Sequence, residues 1–183
     1  MTFRLMLAAV LALASMQAHA EAIDPQRSEI RFVSRQMGVP IDGNFARLSG
    51  SVRFDPGNLD GARAEIQVSL GSIDAGSDEA TAEVKRRPWF NVSGFPSAKF
   101  RATGARRIGD NRYEPGRVPL SSPTARALTV PFTVKRAEDA TVFEGGFTLL
   151  RLDFGIGEGV WSDTETVANE VEVRFRLVQP DRA

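Results

Sequence analysis

The residues that most invite chemistry are Asp153-Phe154-Gly155-Ile156-Gly157-Glu158-Gly159, because an Asp-Phe-Gly followed by alternating glycines could cradle a phosphate. Such a cradle needs a strand before the glycines and a helix after them, whose first amides face the anion. Here a polar turn, 162–165, comes next, and Glu170-Val171-Glu172-Val173-Arg174-Phe175-Arg176-Leu177 then alternates charged and apolar. That period of two belongs to a strand. A kinase Asp-Phe-Gly also works with a lysine-bearing strand and an upstream His-Arg-Asp loop. The only histidine of the chain, His19, lies in a segment expected to be removed. Nucleotide binding is therefore not expected. The loop acids leave a second chemistry, with Asp153 or Asp163 as general acid or base, set against the commoner use of such residues to bond turn amides.

Composition narrows the choice further. The chain has no cysteine, and without cysteine or a retained histidine the usual zinc, copper and haem ligand sets are absent. The Ser-His-Asp and Cys-His nucleophile systems are absent for the same reason. No catalytic residue, metal ligand or required cofactor is assigned.

The first 20 residues differ from the rest. Arg4 precedes an apolar core from Leu5 to Met16, and Ala18-His19-Ala20 fits a small-x-small cleavage site. Residues 1–20 are expected to be a signal peptide cleaved after Ala20, leaving 21–183 as one exported domain. The apolar core is shorter than the roughly 20 residues of a spanning helix. Loss of Arg4 leaves 22 of the 23 basic residues against 23 acidic ones, so no nucleic-acid partner is expected.

The elements that would position a site are strands. Ile30 and Phe32 share one face of the first segment, Phe45 opens the second, and Leu48, Gly50, Val52 and Phe54 continue in shifted phase, predicting a bulge near Arg47. Ala64, Ile66, Val68 and Leu70 alternate in the third, and Ala98, Phe100 and Ala102 in the fourth. Gly116, Val118 and Leu120 mark the fifth, and Leu128, Val130, Phe132 and Val134 the sixth. Phe143, Gly145 and Phe147 carry the seventh, with a change of phase before Leu150, Leu152 and Phe154, and Val171 to Leu177 form the eighth. One helix interrupts them, capped by Ser77 and stopped by Pro88 after Lys85-Arg86-Arg87.

Short alternating segments between turns predict an antiparallel sandwich or barrel. Eight strands closed on themselves leave an interior that side chains fill or that holds one small ligand. Large inward residues, Phe32, Phe45, Phe100, Phe132 and Phe147, are mixed with small ones, Ala64, Ala98, Ala102, Gly50, Gly116 and Gly145. The mixture fits a ligand cavity and a packed taper equally.

Several ordered blocks resemble the YceI-like family of periplasmic proteins. They are Ile23-Asp24-Pro25-Gln26-Arg27-Ser28-Glu29-Ile30-Arg31-Phe32, Ser49 to Pro56, Ser72-Ile73-Asp74-Ala75-Gly76, Trp89 to Phe100, and Asp153 to Gly157. The run 116–125 departs from the family pattern, and Asn91 stands where the family often has Asp. The resemblance implies an all-β fold: a single eight-stranded antiparallel lipocalin-like barrel with one short helix. It implies a periplasmic carrier, not an enzyme, that binds a long amphiphilic lipid such as a polyisoprenoid or isoprenoid quinone. The expected ligand-binding residues are Phe32, Phe45, Phe100, Phe132, Phe147, Phe154 and Trp161, with Trp161 at the entrance. A bound isoprenoid-type lipid and transient contact with a membrane or membrane protein complete the expectation. Two alternatives remain: an enzyme or accessory factor acting on such a lipid through loop carboxylates, and a solid barrel that docks a membrane redox partner.

Overall fold

The computed structural model describes residues 21–117 and 128–181. Val118, Leu120 and Pro119 of the fifth expected segment, and the expected signal peptide, lie outside the described residues. The strands are β1 (Glu21–Ala22), β2 (Glu29–Gln36), β3 (Val39–Phe45), β4 (Leu48–Arg53), β5 (Arg63–Ser69), β6 (Ile73–Asp74), β7 (Ser97–Gly109), β8 (Arg112–Arg117), β9 (Phe132–Arg136), β10 (Ala140–Leu150) and β11 (Glu170–Pro180). One helix, α1 (Asp78–Val84), lies between β6 and β7.

The strands form one antiparallel sheet in the order β1-β4-β5-β7-β8-β9-β10-β11-β2-β3-β6. β3 and β4 sit next to opposite ends of that order, yet only Ala46 and Arg47 separate them in sequence. The sheet must therefore curl on itself. The bulge expected near Arg47 is this break, which the Ala46 amide bridges by donating to Ser72 O at 3.1 Å while Arg47 O accepts from the Ser69 amide at 3.0 Å. The structure corrects the expected ring of eight strands. Eleven segments pair in one line ending at β1 and β6, because the expected second segment divides into β3 and β4 and the short β1 and β6 add pairing beside β4 and β3.

The strand directions sort the connections into two groups. β2–β3, β5–α1–β7 and β10–β11 connect at one end, called the helix end, while β4–β5, β7–β8 and β9–β10 connect at the far end. At the helix end Ser77 Oγ accepts from the Ala80 amide at 3.2 Å, as expected of its cap. The helix stops at Val84, so Lys85, Arg86 and Arg87 lie just beyond it rather than in its last turn.

The core is uneven along the sheet axis. Phe54 packs edge-on against Tyr113, Phe132 and Phe143 with ring centroids 4.9, 5.9 and 5.8 Å away, forming an aromatic floor toward the far end. Ile23, Leu48, Val52, Ile66 and Leu177 join Phe143 around it. Such edge-to-face rings add roughly 0.5–1.5 kcal/mol per pair beyond their buried area.

Two sequence expectations shift here. Phe143, Phe147 and Leu149 keep their phase through β10, so the next inward residue is Arg151 and not Leu150, which is exposed. The small residues also divide into two kinds. Ala64, Ala98 and Ala102 border open volume, whereas a Cβ on Gly145 would overlap the Phe175 ring and Pro131 O. Gly145 pairs directly with Phe175, so its missing side chain seats a cross-strand aromatic ring rather than a guest.

Candidate functional site

Above the aromatic floor the curled sheet encloses a cavity of about 990 Å³. Its walls are the inward faces of β2, β5, β7, β10 and β11, which present Ile30, Phe32, Ile66, Val68, Phe100, Phe147, Val173 and Phe175. Polar side chains collect toward the helix end, where Ser34, Gln36, Ser77, Glu79, Glu83 and Arg86 line it. Arg53 and Arg63 at the far end and Lys99 on β7 also reach the lining, although all three are exposed. The volume sits at the upper end of the 300–1,000 Å³ typical of ligand pockets, and a mostly apolar wall with few polar groups is their usual composition.

All seven residues expected in the site, Phe32, Phe45, Phe100, Phe132, Phe147, Phe154 and Trp161, lie on the cavity wall. They do not form one group. Phe32 and Phe45 are 5.7 Å apart with Phe90 edge-on to Phe45 at 5.9 Å, while Phe132 belongs to the aromatic floor. Trp161 stands at the helix end, 5.5 Å from Trp89, and its Nε1 donates to Glu83 Oε1 at 3.1 Å. Glu83 also pairs with Arg86 at 3.2 Å.

The glycine stretch that invited a phosphate reading binds a cation of the chain itself. Arg151 is 1% exposed, and its guanidinium donates to five backbone carbonyls. Nε reaches Ala168 O at 3.0 Å, Nη1 reaches Ile156 O at 3.0 Å and Gly157 O at 2.9 Å, and Nη2 reaches Trp161 O and Val167 O at 2.7 Å each. All five N–H donors of a guanidinium are thereby used. Burial lowers the Arg151 pKa, but an arginine remains charged in any protein environment. A phosphate cradle turns amides inward, whereas this loop turns carbonyls inward. Gly157 has φ +80°, and a Cβ there would overlap Arg151 Nη1 and lie 3.0 Å from Trp89 Cζ3.

The cage fixes the wall beside it. Arg151 Cζ lies 5.5 Å from the Trp89 ring centroid, and Pro88 O accepts from the Gly157 and Glu158 amides at 2.8 Å. Trp89 Nε1 is buried without a hydrogen-bond partner, the one such side-chain atom among the described residues. Neither Arg151 nor Trp89 is among the residues that alternation or the resemblance assigned to the site. The available signal for Arg151 was the period of two, carried one step past Leu149. Trp89 carried no comparable signal, because its neighbours come from a loop distant in sequence.

The acid-base reading of the loop meets a contrary geometry. Asp163 accepts from Thr166 Oγ1 at 2.7 Å and from the Glu165 amide at 3.0 Å, and these bonds hold its carboxyl below the ordinary carboxylate range. A general acid or base works best with a pKa near the operating pH. Asp163 is shifted the other way.

Comparison with known proteins agrees with this architecture. A family model described as a YceI-like domain matches residues 22–179. A UPF0312 protein of Pseudomonas aeruginosa (strain LESB58) is 28% identical over 142 residues, covering 72% of each chain. One of Yersinia pestis (strain Pestoides F) is 26% identical over 111 residues, covering 60% of this chain and 55% of that one. Among solved structures, Burkholderia cenocepacia BcnA matches with a TM-score of 0.79 and 32% identity, over 85% of this chain and 98% of that one. A polyisoprenoid binding domain from Saccharophagus degradans matches with a TM-score of 0.68 and 16% identity, over 89% of this chain and 100% of that one. With nearly all of the described sheet inside the matched span, this chain belongs to the YceI-like family.

Proposed function

We propose that this chain is a periplasmic carrier or reservoir for one long-chain amphiphilic lipid, a polyisoprenoid, isoprenoid quinone or similar molecule, and that it acts without catalysis. The observation that carries the reading is the cavity of about 990 Å³, apolar through its middle, with polar side chains gathered at the helix end and charged ones at Arg53, Arg63 and Lys99. An apolar chain gains about 25 cal/mol for each Å² it removes from water there, less the cost of ordering it. The polar end of the lipid lies toward the helix end, where Ser34, Gln36, Ser77, Glu79, Glu83 and Arg86 line the cavity. A polyisoprenoid binding domain with the same fold supports the ligand class. The binding residues are the seven wall aromatics, Phe32, Phe45, Phe100, Phe132, Phe147, Phe154 and Trp161. The open cavity argues against a solid barrel, and the turn bonds of Asp163 argue against a general acid or base at that position.

Native mass spectrometry of protein isolated from its own cell envelope tests this, followed by delipidation and refilling with an isoprenoid quinone. One lipid mass per chain, removable and restorable, is the expected result. Protein that carries no lipid and takes up none would overturn it.

A further inference from the structure

The exposed large apolar side chains are distributed unevenly between the two ends of the sheet. Met37, Val39, Phe95, Leu150 and Val160 all lie at the helix end, with Met37 73% and Val160 86% exposed. At the far end the connections expose Asp55-Pro56-Gly57-Asn58, Gly109-Asp110-Asn111 and Glu138-Asp139, and only Ile108, 37% exposed, is large and apolar among the described residues there. Scattered exposed apolar residues need no explanation, but a cluster around a cavity end does.

These tips belong to three connections that are tied to one another. The Met37 amide donates to Thr166 O at 2.9 Å, the Gly157 and Glu158 amides donate to Pro88 O, and Trp161 donates to Glu83. The apolar side chains are thus held in place before any partner arrives. The same end carries cavity lining at Gln36, Glu79 and Arg86, which are exposed, so the cavity meets the surface here as it does at Arg53, Arg63 and Lys99.

We propose that this end docks on the surface of a phospholipid bilayer, with Met37, Val39, Phe95 and Val160 entering the boundary between headgroups and acyl chains. The proposal rests on the lipid-carrier reading, since a cargo soluble in bilayers would then pass between membrane and cavity without crossing bulk water. Apolar side chains at an interface penetrate about 5–10 Å, a depth that protruding tips can reach. The occupant is a bilayer and not a protein, because the apolar residues sit on separate tips around the cavity end instead of forming one continuous apolar core. The charges around them have both signs: Asp78, Glu79, Glu158, Asp163 and Glu165 against Arg35, Arg86 and Arg87. That mixture suits a zwitterionic surface and gives no reason for anionic lipid.

The test is flotation of the full exported chain with phosphatidylcholine vesicles, with and without anionic phosphatidylglycerol. Wild type is compared with Met37→Asp/Val160→Asp at the helix end and with Ile108→Asp at the far end. Met37 has φ +49°, a left-handed conformation that Asp tolerates, so the double variant keeps its fold. Wild type and Ile108→Asp are expected to float with pure phosphatidylcholine, and the double variant to lose at least tenfold in partitioning while still binding isoprenoid quinone from solution. The proposal is overturned if wild type stays free of vesicles, if the double variant floats like wild type, or if binding requires anionic lipid and vanishes with salt. It is equally overturned if the double variant abolishes self-association instead of flotation. Quinone binding is read separately, so failure of the carrier reading shows as an empty cavity whatever the vesicles do.

Discussion

Replacing Arg151 by Met removes a buried cation and leaves five carbonyl oxygens without their donor. Two of these bonds, to Gly157 O and Val167 O, are buried, and each orphaned acceptor costs about 1–3 kcal/mol. The other three are part-buried, so water can take their place at small net cost. Removing the cation also relieves its own desolvation, which offsets part of the loss. The expected net destabilisation is about 3 kcal/mol, or about 6–12 °C in Tm at about 2–4 °C per kcal/mol for a domain of this size. Gly157→Ala supplies the second arm. Its left-handed backbone costs a side chain roughly 1–2 kcal/mol, and overlap with the caged guanidinium adds to that. In the Arg151→Met background the overlap with the guanidinium disappears, leaving the backbone cost and the tight 3.0 Å approach to Trp89 Cζ3. Thermal unfolding of the wild type, both single variants and the double variant gives the coupling, expected to be at least about 1 kcal/mol. If Arg151→Met unfolds within about 1 °C of wild type, or the two changes add without coupling, the glycines are not there for the guanidinium.

Ala98→Phe places a ring on the cavity wall and is expected to abolish lipid retention while Tm of the delipidated protein stays near wild type; loss of roughly 1–3 kcal/mol with lipid absent from both proteins would instead indicate an overpacked solid interior. Stability is expected to be flat from about pH 6 to 8, because residues 21–183 contain no histidine, and to fall under acid. Lys135 and Arg176 hold Glu144 below its ordinary value, so its contribution is complete above the unfolded pKa of about 4.3 and is lost as pH falls through the lower folded pKa. Denaturant melts across pH 2–8 check this, and a stability maximum in acid would contradict it. Export with cleavage after Ala20 predicts Glu21 as the first residue found on N-terminal sequencing of the exported protein, and an intact Met1 would refute it.

The strands were legible wherever one face meets the interior and the other meets water, since only then does the sequence alternate. β5 is the clearest case: Ala64, Ile66 and Val68 point in while Arg63, Glu65 and Gln67 point out. The Ser77 cap was legible because it is local, needing only Ser77 and the Ala80 amide. The number of strands was not, because β3 and β4 are separated only by the break at Ala46 and Arg47, and β1 and β6 are two residues each whose pairing with β4 and β3 comes from the curl of the sheet, not from any pattern of their own. The wall aromatics could be read from phase, but their division into a packed floor and an open chamber could not. Phe132 and Phe147 look alike in sequence, and only the rings of Phe54, Tyr113 and Phe143 around Phe132 separate them.

Arg151 shows how a correct rule can be set aside by a plausible one. The period through Phe147 and Leu149 points Arg151 inward, whereas the apolar Leu150, Leu152 and Phe154 read as a change of phase that leaves it out. The conflict resolves through the glycines that follow. Left-handed Gly155, Gly157 and Gly159 fold the loop back so that the carbonyls of Ile156, Gly157 and Trp161 converge on the guanidinium, making a charge tolerable in the interior. No carboxylate joins them among the described contacts of Arg151, so the cage satisfies hydrogen bonds without cancelling the charge. A positive charge therefore remains beside Trp89 at the polar end of an otherwise apolar chamber.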